Sequence, residues 1–379
     1  HIIVVTNACN LSCIYCQANA NEEKQHGMMD TITAEKIVDV ILESPNHHLT
    51  IEFQGGEPLL NYTVVKHIIE TVSHADHKKD VRFSIVSNLT LITSEMISFF
   101  AEHNVGISTS IDGDSTLHDQ NRHYPSGRGS FSEVSSSLTM LRKAGINVGA
   151  IETTTRNTLG KYKEVIDTYC DLGFNTIFLR PMSPLGCAKQ RWTEIGYTAG
   201  EFIAFYKQCL DYIIQKNIAG INIQENQAAI FLAKILHFDP VNYMELRSPC
   251  GAITGQMAYY YNGDVFTCDE GRMMYEMGDD SFRLGTIHEN CYQDLVNSSV
   301  RGTVCKASIL ESIPCCCDCA YQPFCGICPV LNLATDHDIL PKEPMNYRCA
   351  IHSGILDIIF SILLHADDQA LRVLEGWQM

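Results

Sequence analysis

Thr6-Asn7-Ala8-Cys9-Asn10-Leu11-Ser12-Cys13-Ile14-Tyr15-Cys16 decides how this chain is read. It sets three cysteines in a C-x3-C-x2-C run, directly after His1-Ile2-Ile3-Val4-Val5, which reads as a buried strand. Three thiolates can hold three irons of a four-iron cluster. The fourth iron is then left without a protein ligand, where an electron-transfer cluster would have a fourth cysteine, and an open iron can bind a small molecule. The competing readings are a zinc knuckle, which usually pairs C-x2-C units, and a surplus of buried thiols.

A second apolar run, Leu49-Thr50-Ile51-Glu52-Phe53, leads into Gln54-Gly55-Gly56-Glu57-Pro58. Glycines at a strand end let backbone approach a ligand, and a carboxylate there can receive an ammonium. Standing alone, the tetrapeptide would read as a tight turn. The cysteine spacing, the aromatic Tyr15 before the last cysteine and the Gly-Gly-Glu-Pro motif together resemble the radical S-adenosylmethionine (SAM) enzymes. The resemblance implies a 4Fe-4S cluster on Cys9, Cys13 and Cys16 whose open iron chelates SAM. It also implies that Gly55, Gly56 and Glu57 hold the SAM amino group.

The chain has 379 residues, 45% of them hydrophobic, enough for a main domain and a smaller one. No apolar run is expected to reach membrane-spanning length, and no signal peptide is visible. Seventeen cysteines without an export signal point to metal or redox chemistry in a reducing, cytoplasmic setting. The net charge of −17 argues against general nucleic-acid binding. The chain opens at His1 inside a strand and without methionine, so a further segment is expected upstream; a peptide-binding one would suit this class.

Strand patterns recur at 1–6, 49–53, 81–87, 105–111, 146–153 and 175–180, with helical patterns between them. Phe131, Val134, Leu138 and Leu141 recur at helical spacing before Gly145, and Thr33 suits the N-cap of an earlier helix, with Glu35 in its first turn. Six βα units imply a parallel sheet but not a closed eight-stranded barrel. The expected fold is α/β, a partial (β/α)6 TIM-like barrel of the radical SAM type, with functional residues at the carboxyl ends of the strands.

Val86-Ser87-Asn88 ends the third strand, and Ser108-Thr109-Ser110-Ile111-Asp112-Gly113 ends the fourth, followed by His118-Asp119-Gln120-Asn121-Arg122. This resembles the S-x-D-G … H-D-x-x-R stretch of radical SAM peptide maturases. The resemblance assigns Ser87, Asn88, Ser110 and Arg122 to SAM, with Ser110 and Arg122 on its ribose and carboxylate. A guanidinium grips a carboxylate bidentately, which suits Arg122 to that role. Leu179, in Phe178-Leu179-Arg180-Pro181, is expected to touch adenine, with core packing as its alternative.

Beyond residue 182 the chain reads as a helical bridge over 183–248, with helices near 198–217 and 225–237, and Cys170, Cys187 and Cys209 read as ordinary thiols. From Cys250 the texture changes. Gln256 to Thr267 reads as a hairpin turning at Asn262-Gly263, flanked by Cys250 and Cys268, and then come Cys316-x2-Cys319-x5-Cys325-x2-Cys328 and Cys349. This order resembles the SPASM extension, which carries auxiliary 4Fe-4S clusters in enzymes acting on peptides and proteins. The expected division is 1–182 barrel, 183–248 bridge, 249–350 SPASM domain and 351–379 C-terminal helix. By the same resemblance Cys250, Cys268 and Cys328 serve a nearer cluster, and Cys316, Cys319, Cys325 and Cys349 a farther one. Two clusters need eight ligands and this pattern supplies seven. Some relatives have another cysteine shortly after the first, where this chain has Thr254, Gly255 and Gln256. Cys315, Cys317, Cys305 or Cys291 could fill the gap, or one iron is open for substrate; structural zinc is the alternative for the dense run.

Asp269 follows Cys268, at the position of the proposed base in sulfatase-maturing relatives, with Glu270 as fallback. The resemblance implies reductive cleavage of SAM to a 5′-deoxyadenosyl radical that takes a hydrogen from a residue of a bound peptide. It implies a flavodoxin or ferredoxin as electron donor. In texture the chain looks most like the His-Xaa-Ser peptide maturases. An anaerobic sulfatase maturase and a non-catalytic iron–sulfur electron carrier are the competing readings.

Overall fold

In the computed structural model, residues 1–20, 27–239, 241, 243–252, 254–340 and 346–377 are described. Ile2, Ile3, Val4 and Val5 are all buried in β1 (Ile2–Thr6), the run of apolar side chains that a strand covered on both faces requires. The following strands are β2 (His48–Gly55), β3 (Asp80–Val86), β4 (Gly106–Ser110), β5 (Val148–Thr154) and β6 (Thr176–Pro181). Each pairs in parallel with the next, with helices in the connections, which gives the partial (β/α)6 barrel. The expected strands match these to within a residue or two.

The sheet extends at both edges. β7 (Gln224–Glu225) pairs in parallel with β6, and β8 (Ala258–Tyr259) pairs in parallel with β1. β9 (Asp264–Phe266) and β10 (Arg283–Thr286) continue it antiparallel, so the order is β10-β9-β8-β1-β2-β3-β4-β5-β6-β7. The hairpin turns at Asn262-Gly263 as expected, Gly263 taking φ +89°. A barrel edge offers unpaired N–H and C=O groups, and this hairpin covers the edge at β1. The hairpin that opens the cysteine-rich region is therefore part of the same sheet.

Helix Thr31–Leu42 starts one turn position earlier than expected: Asp30, not Thr33, is its N-cap, its carboxylate accepting from Thr33 N at 2.7 Å. A carboxylate meets the positive helix end better than a hydroxyl. Helix Phe131–Lys143 buries Val134, Leu138 and Leu141, as the spacing predicts. Helices Ala199–Ile218 and Asn226–Leu236 fill the bridge, the first closed by a capping box between Thr198 and Glu201.

One expectation fails. Helix Tyr347–His365 is 19 residues long with mean hydropathy 1.5, long and apolar enough by length and composition to cross a membrane. In this fold it packs on helix Ala199–Ile218 and buries Ile351, Ile355, Leu356 and Ile359. Its polar residues are too scattered for the sequence to separate a core helix from a spanning one. Helix Asp368–Glu375 then completes the described C-terminal region.

Candidate active site

The carboxyl ends of β1 to β6 open onto a cavity of about 620 Å³. Cys9, Cys13 and Cys16 line it from the loop after β1, and Cys250, Cys268 and Cys328 line it from the cysteine-rich region. A volume of this size accommodates a drug-sized ligand.

The triplet loop is held by backbone from three directions. Ser12 N donates to His123 O at 2.7 Å and Ile14 N to Asn121 O at 2.9 Å. Cys187 N donates to Cys16 O at 2.8 Å. Gly56 N and Glu57 N donate to Thr6 O and Ala8 O at 3.0 and 2.8 Å. The two glycines serve this last contact. A Cβ on Gly55 would stand 2.2 Å from Thr6 O, and one on Gly56 would stand 2.1 Å from Ala8 O. Gly55 also has φ +153°. Close approach is thus to the cysteine loop itself, while Gly56 lines the cavity.

The Glu57 carboxylate is turned inward. It accepts from Leu59 N at 3.0 Å, Ser87 Oγ at 2.8 Å and Asn88 N at 2.8 Å, knitting β2 to the end of β3. Burial raises its pKa against those three donors. Ser87 and Asn88 line the cavity, and Asn88 Nδ2 reaches Cys9 Sγ at 3.9 Å and Asn10 Oδ1 at 2.9 Å.

Tyr15 and Arg122 form a relay with a residue not singled out from sequence. Arg122 Nη1 donates to the Tyr15 hydroxyl at 2.9 Å, and that hydroxyl donates to Asp112 Oδ2 at 2.7 Å. Asn121 Nδ2 adds a bond to the same oxygen at 3.2 Å. Asp112 is wholly buried. Burial raises its pKa, opposed by the Arg122 charge and these bonds. Arg122 and Ser110 both line the cavity. In the H-D-x-x-R stretch only the Arg does: His118 bonds Ser130 Oγ at 3.1 Å, and Asp119 accepts from Ser130 N and Phe131 N at 2.8 Å each.

Leu179 is a correction. It is fully buried, its N–H donates to Glu225 Oε1 at 3.2 Å, and it is absent from the cavity wall. Successive strand residues face opposite sides. Phe178 and Arg180 therefore face the cavity and Leu179 faces the core; Ile151 on β5 supplies an apolar wall.

Asp269 lines the cavity in the first turn of helix Asp269–Glu276. Its Oδ1 accepts from Nε and Nη2 of Arg272 at 3.0 and 2.7 Å, and both side chains are buried. Arg272, Glu245, Arg180 and Arg348 were missed. Burial pushes the Glu245 pKa up, but the guanidiniums of Arg180 and Arg348, both bonded to it, outweigh that and bring it down to about 2. Arg272 lies one helical turn after Asp269, whereas Glu245, Arg180 and Arg348 meet only through the fold.

Burial pushes the Cys9 thiol well up and the Cys13 thiol to about 11, the latter despite the Arg122 charge. Buried thiols of this kind give up their protons to a cation that takes them as ligands. Cys9, Cys13 and Cys16 lie within electrostatic reach of one another. Among the described residues no three His, Cys, Asp or Glu side chains group tightly enough for one metal ion. All three line one cavity, and three thiolates from one loop are the donor set that would hold a four-iron cluster, so the residues fit that group. Cys316, Cys319, Cys325 and Cys349 line a separate cavity of about 90 Å³ together with Cys315 and Cys328.

The radical SAM superfamily description matches residues 3–172. The serine-type anaerobic sulfatase-maturating enzyme of Bacteroides thetaiotaomicron is 30% identical over 365 residues, covering 90% of this chain and 84% of that protein. The chain belongs to the radical SAM superfamily. Among solved structures, this radical SAM chain is similar to native anSMEcpe with bound AdoMet and Kp18Cys peptide, with TM-score 0.82, 22% identity and coverage of 99% and 98% of the two chains. It is also similar to Streptococcus suis SuiB bound to precursor peptide SuiA, with TM-score 0.63, 17% identity and coverage of 89% and 73%. Those likenesses concern the fold. Radical SAM enzymes use a 4Fe-4S cluster and SAM, and the electron-carrier reading without SAM chemistry is set aside.

Proposed function

We propose that this radical SAM enzyme oxidises a residue of a peptide or protein, with Asp269 as the base. One observation carries the reading: the Cys9-Cys13-Cys16 loop, Asp269 and the Cys250-Cys268-Cys328 set face a single cavity. When bound, the cluster and SAM supply a carbon radical by reductive cleavage of the sulfonium. The protein's part is placement and dryness. Gly56 sets the triplet loop against β2. Arg122, oriented by Tyr15 and Asp112, presents its guanidinium to the SAM carboxylate. Ser110 and Asn88 offer polar contacts from β4 and the end of β3. Arg272 holds Asp269 Oδ1, which leaves Oδ2 to take the proton released when the substrate residue is oxidised. Cys250, Cys268 and Cys328 would hold a nearer auxiliary cluster to accept the electron, and Cys316, Cys319, Cys325 and Cys349 a farther one. A small electron carrier such as flavodoxin or ferredoxin would supply the first electron.

A peptide or protein partner is supported by the peptides in the anSMEcpe and SuiB structures. A sulfatase as that partner is favoured by the 30% identical relative that spans most of both chains. The test is anaerobic incubation of reduced enzyme with SAM and either a sulfatase-type Cys or Ser peptide or a short peptide encoded beside the gene. Formylglycine in the first supports sulfatase maturation; a mass change only in the second supports a peptide maturase. SAM cleavage should vanish in Cys13→Ala while auxiliary iron remains. Robust 5′-deoxyadenosine formation by that variant refutes the assignment.

A further inference from the structure

Behind the end of β6 lies another cavity, of about 40 Å³. Pro181 to Pro184, the first turn of helix Asn226–Leu236 and the amino-terminal half of helix Tyr347–His365 enclose it. Phe178, Arg180, Ser183, Glu245, Leu331 and Arg348 line both this chamber and the large cavity, so the two share a wall.

Two donors on residues of the chamber have no partner. Gln227 is only 6% exposed, it lines the chamber and not the large cavity, and its Nε2 bonds nothing. Arg348 bonds Glu245 through Nη2, while its Nε is buried and unpartnered. A buried N–H without an acceptor is costly, and native folds leave few of them.

Charge points the same way. Among the described residues that line the chamber, two guanidiniums, Arg180 and Arg348, meet one carboxylate, Glu245, so its wall carries a surplus of at least one positive charge. Both Glu245 oxygens are taken, Oε1 by Arg180 and Oε2 by Arg348. Asp269 and Glu270 line the large cavity and not this one. The complement of such a wall accepts without donating and is negative, which describes an ionised carboxyl. Size agrees. One water takes up about 10–15 Å³ of such space, so the chamber has room for about three water-sized atoms, the three heavy atoms of a carboxylate.

We propose that this chamber binds the carboxylate of an acidic side chain on the peptide substrate, held by Gln227 Nε2 and Arg348 Nε. This rests on the reading that the substrate is a peptide seated in the large cavity. No cysteine is among the described residues that line the chamber, so the acid it binds is a different residue from the one oxidised. Gln227 and Arg348 thereby select the sequence around the reacting residue.

The test uses the reconstituted full chain, kept oxidised and saturated with SAM, so that Arg122 is occupied and SAM stays intact. Carbon-13 formate and formamide, each of three heavy atoms, are titrated in turn, and binding is read from carbon relaxation. Formate should bind the parent at least about tenfold more tightly than formamide, and Gln227→Leu should lose at least about tenfold in formate affinity, the factor expected for one hydrogen bond to a charged group. Equal affinities for the two probes, or equal formate affinity in parent and Gln227→Leu, leave the chamber to ordered water and overturn the proposal. Should Gln227→Leu not fold, Gln227→Glu takes its place with the same expectation, since it keeps the size and sets a carboxylate against the incoming one. The source of the acid is read with fluorescent forms of the two kinds of peptide named above, each position set in turn to Asp and to Asn. At one position Asp should bind the parent at least about tenfold more tightly than Asn, and no more tightly in Gln227→Leu. Formate binding without such a position assigns the chamber to a free small acid and overturns substrate recognition. Formate binding with no binding of either peptide sinks the peptide reading itself, and the proposal with it.

Discussion

Replacing Gly56 by Ala adds one carbon at the tightest junction of the active site. The new Cβ would lie 2.1 Å from Ala8 O and 2.5 Å from Ala8 C. Neither can swing away, because both belong to the backbone next to Cys9. Restoring an ordinary carbon–oxygen contact requires the loop to retreat by about 1 Å, and a displacement of that size at a reacting centre can cost about 100-fold in rate. The retreat also strains the bond from Glu57 N to Ala8 O. We expect Gly56→Ala to retain iron at the auxiliary sites and to form 5′-deoxyadenosine about 100-fold more slowly than the parent. Gly302→Ala is the control, since a Cβ there meets nothing within 4 Å and sits in helix Ser299–Lys306. Gly56→Ala cleaving SAM at the parental rate, with full iron, would show that the glycine does not set the loop.

Three further substitutions probe other links. Asp269→Asn should slow product formation by about 10² to 10⁴ while affecting SAM cleavage less, and equal product rates in variant and parent would remove Asp269 from the mechanism. Arg272→Met leaves the buried Asp269 carboxylate without its guanidinium and should destabilise by about 3–5 kcal/mol, read as a fall in the anaerobic melting temperature that Asp269→Leu in the same chain largely reverses. Burial raises the Glu225 carboxyl from its usual 4.5 to about 6, so the folded state favours the protonated form. Its contribution is complete below about pH 4.5 and is lost as pH rises through 6; the stability of the parent relative to Glu225→Gln should fall by about 1 kcal/mol between pH 5 and 7.5. A difference that is flat or rises over that range contradicts the sign.

Much of the site is legible because its spacing is local. Cys9, Cys13 and Cys16 share one short loop after β1, and Gly56 directly follows β2, so turn chemistry at the strand ends places them on the cavity side. The Asn262-Gly263 turn is legible for the same reason, as is the helix over 131–143. Glu57 was half legible: its position at the end of β2 is as expected, but the direction of its carboxylate depends on Ser87 and Asn88, about thirty residues later. Leu179 was misread because the parity of a strand is decided by the packing around it, which here turns Phe178 and Arg180 to the cavity and Leu179 to the core.

The amino-acid sequence alone determined the order of the six barrel strands, the cysteine triplet after the first of them and the reservoir of thiols downstream, since these follow from periodicity and short spacings. Only the tertiary structure decided which partners those groups keep. Tyr15 meets Asp112 across 97 positions, and Glu245 joins Arg180 to Arg348 across 65 and 103. Such meetings depend on how the ten strands of the described residues pair and which side of each helix turns inward. Burial then makes them matter, because a charge removed from water must find its complement wherever the fold has brought one.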